Sequence, residues 1–318
     1  MESEITKIIH DKKSDLSPLS IKTYANSINK VLELIKSKSL NDLFLKHKEI
    51  VDVLTSHYDK PNTRKTKLAS VTVFLRCIVN EKNKKQIDLA LAHYGKVIEG
   101  LTGDVKNGLV DGEKSEKQKT NWISKEETGT VEQHLKDAVP AEVRTPKDLM
   151  NFRNYVLFSL YQDIPTRNEM ADTKIIFKPA KKVEAALSDE YNYIILDKKT
   201  KTAAYILNTY KTSKVYGKKT IALSEPLYSL LLQYKSAVDK FNGDSHFAFL
   251  NNSADAKLTR NRLGVVYSGL GSVVGKKLGT SLNRHQAISD LVPLDKMKAL
   301  ADKMGNSVNE AVNVYAKV

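Results

Sequence analysis

Residues 204–223, AYILNTYKTSKVYGKKTIAL, carry two β-branched and aromatic runs on either side of a lysine-rich, glycine-containing turn, the pattern of a β-hairpin. Lys211 falls at the end of its first strand. Upstream, TKIIF (173–177) and NYIILD (192–197) read as further short strands, separated by turns such as DKKTK. The expectation is a small antiparallel sheet of three or four strands. On both sides the period changes to that of helices. Ser124 with Glu127 forms a capping box, and Thr145 with Pro146 opens a helix that should bury Leu149, Phe152, Val156 and Leu160. After the sheet, Ser224 and Pro226 start another helix near 224–239, and short helices continue to the C-terminus, interrupted by SHFAFLN. This half is mainly α with a small inserted sheet.

The N-terminal half lacks strand patterns. From Ser20, SIKTYANSINKVLELIK places Ile21, Tyr24, Ile28, Val31, Leu32 and Ile35 at helical spacing behind a serine cap. Helical patterns follow at roughly 40–55, 62–80 (with Leu68, Val71, Leu75 and Ile78 on one face) and 86–101. Residues 1–101 therefore read as a helical bundle. Between Gly100 and Thr120 periodicity gives way to glycine and charge. The expected layout is a helical domain at 1–101, a linker at 102–120 and a second domain at 121–318.

With 51 Lys+Arg against 37 Asp+Glu, the formal charge of +14 is spread along the chain, which favours a polyanionic partner. Cys77, the single cysteine, lies in the apolar stretch VTVFLRCIV and is expected in the core, so no internal disulfide forms. No apolar run reaches the roughly 20 residues that span a bilayer, and the start MESEITKIIHDKK does not read as a signal peptide. A soluble, intracellular protein without membrane partners is the expectation. Phosphate-binding glycine loops, a dinucleotide fingerprint, a His-Glu-x-x-His helix and cysteine pairs are all missing from the sequence, so no cofactor and no metal is expected.

Four segments carry chemistry. In YQDIPTRNEMADTKI, Arg167 follows a helix that ends at Pro165, with Glu169 two residues on; an arginine there offers a planar fork to a phosphate while a carboxylate orients it. Lys211, on the hairpin, can reach a leaving oxygen with a proton. In GTSLNRHQAISD, Ser281 precedes Arg284 by three residues, so both share a helix face able to grip one phosphate, and His285 follows directly. The fourth, MGNSVNEAVNVYAKV, places Tyr315 nine residues after Asn306.

In this order and spacing the segments resemble the catalytic domain of the tyrosine recombinases and integrases, whose pattern is an arginine after a helix, a hairpin lysine, a His-x-x-Arg box, a Gly-His or Gly-Trp pair, and a nucleophilic tyrosine nine residues later. The matching positions are Arg167, Lys211, Ser281 with Arg284, Gly305 with Asn306, and Tyr315. The opening SPLSIKTYANSINKVLELI is similar to the family's helical, SAM-like core-binding domain, so the resemblance covers nearly the whole chain. PTRNEM and the Lys/Asn-rich style resemble the branch found in large DNA viruses, virophages and related mobile elements. Three positions depart from the pattern: Ser281 and Asn306 stand where imidazole or indole is usual, and Glu169 sits one residue early. Serine and asparagine hydrogen-bond a phosphate oxygen but carry no charge and shuttle no proton as imidazole does.

The resemblance implies a site-specific recombinase that cleaves and rejoins double-stranded DNA through a 3′-phosphotyrosine on Tyr315. Arg167, Arg284, Ser281 and Asn306 would hold the scissile phosphate, with Lys211 as general acid and Glu169 and His285 in support. It also implies a homotetramer on two DNA sites, monomeric or dimeric without DNA. Lys22, Arg64, Lys65 and Lys67 of the first domain and Lys214 of the second would contact phosphates. Two rival readings share these residues: a type IB topoisomerase that relaxes supercoils, and a recombinase-derived DNA-binding protein with weakened catalysis.

Overall fold

The structure is a computed structural model that describes residues 2–107, 114–178, 187–289 and 294–305. The chain divides into two compact units, Met1–Val110 and Asp111–Val318. Among the described residues, no helix is long and apolar enough to cross a membrane.

The first unit is all helical: α1 (Glu2–Lys12), α2 (Pro18–Leu34), α3 (Asp42–Leu45), α4 (His47–His57), α5 (Pro61–Ile78) and α6 (Lys84–Asn107). The cap of α2 is Ser17, three residues ahead of the expected Ser20; its hydroxyl accepts from the Ser20 amide at 3.2 Å, and Pro18 at the first helical position stabilises the start. Ile21, Ile28, Val31 and Leu32 of α2 meet Leu68, Val71 and Leu75 of α5 in one apolar core, joined by Ile5 and Ile9 of α1, a helix the periodicity reading missed. Cys77 is buried, as expected. Helix α6 runs on to Asn107 through Gly100 and Gly103, inside the stretch read as linker; each glycine costs about 1 kcal/mol against alanine, too little to end a packed helix.

The second unit opens with α7 (Glu116–Asn121), α8 (Lys125–Asp137) and α9 (Pro146–Asp163). Two of the N-termini named from the sequence carry side-chain caps, Ser124 exchanging bonds with Glu127 and Thr145 with Asp148, whereas Ser224, at the N-cap of the helix that starts at Glu225, makes no side-chain cap bond. Helix α9 buries Leu149, Phe152, Val156 and Leu160. After a short 3-10 helix (Asn168–Asp172) come β1 (Thr173–Phe177), β2 (Asn192–Asp197), β3 (Thr202–Leu207), the single-turn α10 (Ser213–Tyr216) and β4 (Lys219–Ala222). Then follow α11 (Glu225–Asn242), α12 (Arg260–Gly269), α13 (Thr280–Ser289) and α14 (Leu294–Lys303).

The sheet has four strands in sequential order, but it is mixed and not purely antiparallel as expected. β2–β3 and β3–β4 pair antiparallel, with Tyr193 opposite Ile206 and Leu207 opposite Lys219, whereas β1 runs parallel to β2 with Thr173 opposite Asn192. Phe177 and Asn192 are joined by a long connection and not a tight turn, which lets the chain return to the same end of the sheet. The outer edge of β1 is met by 246–248, where Ile175 donates to His246 and Ala248 to Thr173. Helix α11 packs on β2, β3 and α9.

Candidate active site

Three segments far apart in sequence converge beside the sheet. The first is the junction after α9, where Ile164 caps the helix and Pro165 prevents its continuation. Arg167 then stands extended immediately before the 3-10 helix. Tyr161, fully buried in the last turn of α9, donates its hydroxyl to the Arg167 carbonyl at 2.8 Å and so fixes this turn from inside.

Helix α13 is fastened onto that junction, and onto the segment between α7 and α8, by polar side chains. Thr280 donates to the Asn168 side-chain oxygen at 2.8 Å, Asn283 to the Tyr161 carbonyl at 2.5 Å and Gln286 to the Ile123 carbonyl at 2.7 Å. Between them Arg284, only 5% exposed, brings Nη1 to 3.5 Å from the carbonyl of Thr166, the residue next to Arg167. Burial pushes the Tyr161 phenol well above its ordinary pKa; among smaller influences Glu169 raises it and Arg284 lowers it. Glu169 is itself buried.

The hairpin reaches the same junction through Asn192, a residue the sequence reading passed over. At the first position of β2 and 0% exposed, its amide nitrogen donates to the carbonyls of Glu169 and Thr209, each at 3.2 Å. Its oxygen accepts the backbone N–H groups of Asn208 and Thr209, both at 2.9 Å. One side chain therefore stitches the Arg167–Glu169 segment to the turn that carries Lys211. By capturing those amides it also ends β3 at Leu207. Lys211 therefore lies in the turn beyond the strand and not at its end. The only sequence signal was an asparagine, a poor strand former, opening an otherwise apolar strand.

Beyond Lys211, the Thr212 hydroxyl donates to the Gly305 carbonyl at 2.7 Å, and Lys219 reaches the Asp302 carbonyl at 2.7 Å. Gly305 has φ +67°, and a Cβ built there would stand 2.6 Å from the Tyr210 ring. The backbone conformation and the close approach both demand glycine. The position just ahead of Asn306 is thereby tied to the turn of Lys211. Asn306 and Tyr315 lie outside the described residues.

Arg167 and His285 are half-buried, while Lys211 and Lys214 are exposed. Ser281 is exposed on the first turn of α13 whereas Arg284 is buried, so this i, i+3 pair runs from solvent to interior. Next to the arginines, the Thr166 hydroxyl is buried and meets no hydrogen-bond partner among the described residues. No group of three or more His, Cys, Asp or Glu among the described residues is placed to hold a metal. In the first unit, Lys22 is exposed on α2 and Arg64, Lys65 and Lys67 are half-buried near the start of α5. Burial, and next the charge of Lys30, lowers the pKa of the Lys67 ammonium.

Chemically, the segments that carry Arg167, Arg284, Glu169 and Lys211 are bonded to one another, and guanidinium and ammonium groups are the types that bind an oxyanion such as a phosphodiester. No protein-family model matches the chain. No curated protein matches it either. Among solved structures, the crystal structure of XerA recombinase is similar at 12% identity and a TM-score of 0.43, over 100% of this chain and 94% of that one.

Proposed function

We propose that the chain is a DNA strand transferase that acts through Tyr315, in the manner of tyrosine recombinases. The observation that carries this reading is the meeting of Arg284 with the backbone beside Arg167, across 118 residues of sequence. Hydrolysis or transfer at a phosphodiester is slow because its negative oxygens repel a nucleophile and the transition state gathers more charge. Fixed guanidiniums answer that problem directly. Arg167 and Arg284 hold the non-bridging oxygens, with Ser281 and Asn306 adding hydrogen bonds. The Tyr315 oxygen bonds to phosphorus as the bond to the 5′ oxygen breaks. The phenol gives up its proton to solvent, and Lys211 supplies one to the departing 5′ oxygen. Phosphate-ester energy is conserved in the 3′-phosphotyrosine, so attack by another strand's 5′-hydroxyl restores the backbone and regenerates the phenol.

The first unit serves as the core-binding domain and the second as the catalytic domain. Four protomers on two duplexes complete strand exchange. A suicide duplex carrying the ends or repeats that flank the gene should give a covalent protein–DNA adduct, lost in Tyr315→Phe. Arg284→Ala should cut cleavage on the order of 100-fold or more while duplex affinity stays within roughly tenfold, because one phosphate contact among many contributes little to binding. Equal loss of binding and cleavage would remove Arg284 from the chemistry. Binding without any adduct would favour the non-catalytic reading, which the uncharged Ser281 and Asn306 make specific.

A further inference from the structure

A cavity of about 400 Å³ lies where the start of α8, the end of α9 and α13 meet. Its size is that of a small-molecule site. The frame around it is held by bonds already made: Lys276 pairs with Glu127 at 2.6 Å and donates to the Trp122 carbonyl at 2.5 Å, and the Lys277 amide donates to the Asn121 side chain at 2.7 Å. Trp122, Ile123 and Ala287 supply apolar surface, and Lys125 is the charged residue of the lining. Asn283 and Gln286, each 9% exposed, line the same space. Their amide nitrogens are committed to the carbonyls of Tyr161 and Ile123. Each amide oxygen therefore points away from those carbonyls, and among the described residues neither accepts a hydrogen bond. Two nearly buried acceptors beside an indole call for a ligand that brings N–H donors on a flat ring.

We propose that this cavity binds a nucleotide whose base carries an exocyclic amine, adenine or cytosine. The ring packs against Trp122, the amine donates to the oxygens of Asn283 and Gln286, and the phosphate lies toward Lys125. The lining selects this class. An aliphatic amine brings donors but offers the indole no flat face and meets Lys125 with like charge, whereas a plain aromatic acid brings the face without the donors. Binding here needs neither Tyr315 nor a duplex, so it stands apart from strand transfer. It does reach the same helix: Asn283 and Gln286 flank Arg284 on α13, and an occupant adds two bonds to the helix that carries the buried guanidinium.

Trp122 is the chain's single tryptophan, so its fluorescence reports on the cavity directly. Adenosine 5′-monophosphate added to the full chain without DNA should quench it saturably, with free tryptophan amide as the control for absorption. Purine riboside 5′-monophosphate, which lacks only the amine, should bind at least roughly tenfold more weakly, because it leaves both oxygens without a donor. Ala287→Phe, and from the α8 wall Thr128→Phe, should each fill the space and remove the saturable quench while the circular dichroism melt stays that of the parent. No saturation up to roughly 10 mM of nucleotide would overturn the proposal, the weakest affinity a built site should show. So would equal affinity for the two purines, or a quench kept in both phenylalanine variants. Saturation by single-stranded oligo-dA and oligo-dC, but by neither oligo-dT nor the free nucleotide, would uphold the base chemistry and assign it to an unpaired base of a DNA strand. Nucleotide binding in a protein that forms no Tyr315 adduct would uphold the cavity while removing the catalytic reading.

Discussion

The two units bury very different kinds of side chain. In the first, the buried polar side chains among the described residues are Ser27, His47 and Ser70, and the rest of the interior is aliphatic and aromatic. The second buries Arg153, Glu169, Asn192, Asn283, Arg284 and Gln286, and nearly all of them reach backbone groups of another segment. An apolar interior needs only the right volume, so it tolerates adjustment. A polar interior needs every bond made, and it fixes loops to within a fraction of an ångström because an orphaned group costs about 1–3 kcal/mol. The second unit spends its interior on holding three segments in register, which is what a site assembled from distant pieces requires.

That contrast can be broken experimentally. The largest effect is expected from Asn192→Ala, which strands two carbonyls and two amides at once; a loss of about 3 kcal/mol or more in denaturant unfolding is expected, with cleavage falling further than stability predicts. Loss of stability alone, with cleavage per folded molecule unchanged, would reduce Asn192 to a packing residue. Gly305→Ala follows, at about 2 kcal/mol, from the positive φ and the clash with Tyr210; a wild-type melting temperature would refute the tie between Gly305 and the hairpin turn. Thr166→Val should run the other way. Removing its buried hydroxyl should leave stability equal or raise it by about 1 kcal/mol, while cleavage drops if that hydroxyl meets the phosphate. An unchanged cleavage rate would exclude the hydroxyl from the site.

The smallest effect belongs to the first unit. Burial, then the facing His93 ring at 5.0 Å, then Lys48, lowers the His47 pKa from its ordinary 6.5. Above that pH the imidazole is neutral in both folded and unfolded chains and contributes no pH dependence. As pH falls below about 6.5 the unfolded chain takes the proton first, so the first unit should lose stability with acidification until the folded pKa is passed. Circular dichroism melts between pH 7.5 and 5 should show this slope diminished in His47→Gln.

Much of the fold was legible because it is written in local terms. The capping box at Ser124, the helix start at Thr145–Pro146 and the apolar faces of α2, α5 and α9 depend on residues a few positions apart. The pairing of β1 with β2 was not legible, since strand patterns carry no direction and only the path of the connection sets it. Arg167, Lys211 and Arg284 could be picked out as types at junctions, yet their convergence depends on Thr280, Asn283 and Asn192. Those residues have no distinguishing pattern in sequence: Asn283 and Asn192 bond backbone groups that any residue supplies, and Thr280 bonds the side chain of Asn168, 112 residues away.

The bond between Thr212 and Gly305 has a mechanical consequence. Tyr315 is ten positions beyond that mooring, so its backbone can lie at most about 35 Å away. On the proposed chemistry, only a phosphate within that radius is eligible for attack by Tyr315, whatever its sequence. If the proposed strand transfer holds, lengthening or shortening the segment after Gly305 should therefore redistribute attack between a protomer's own duplex and its neighbour's.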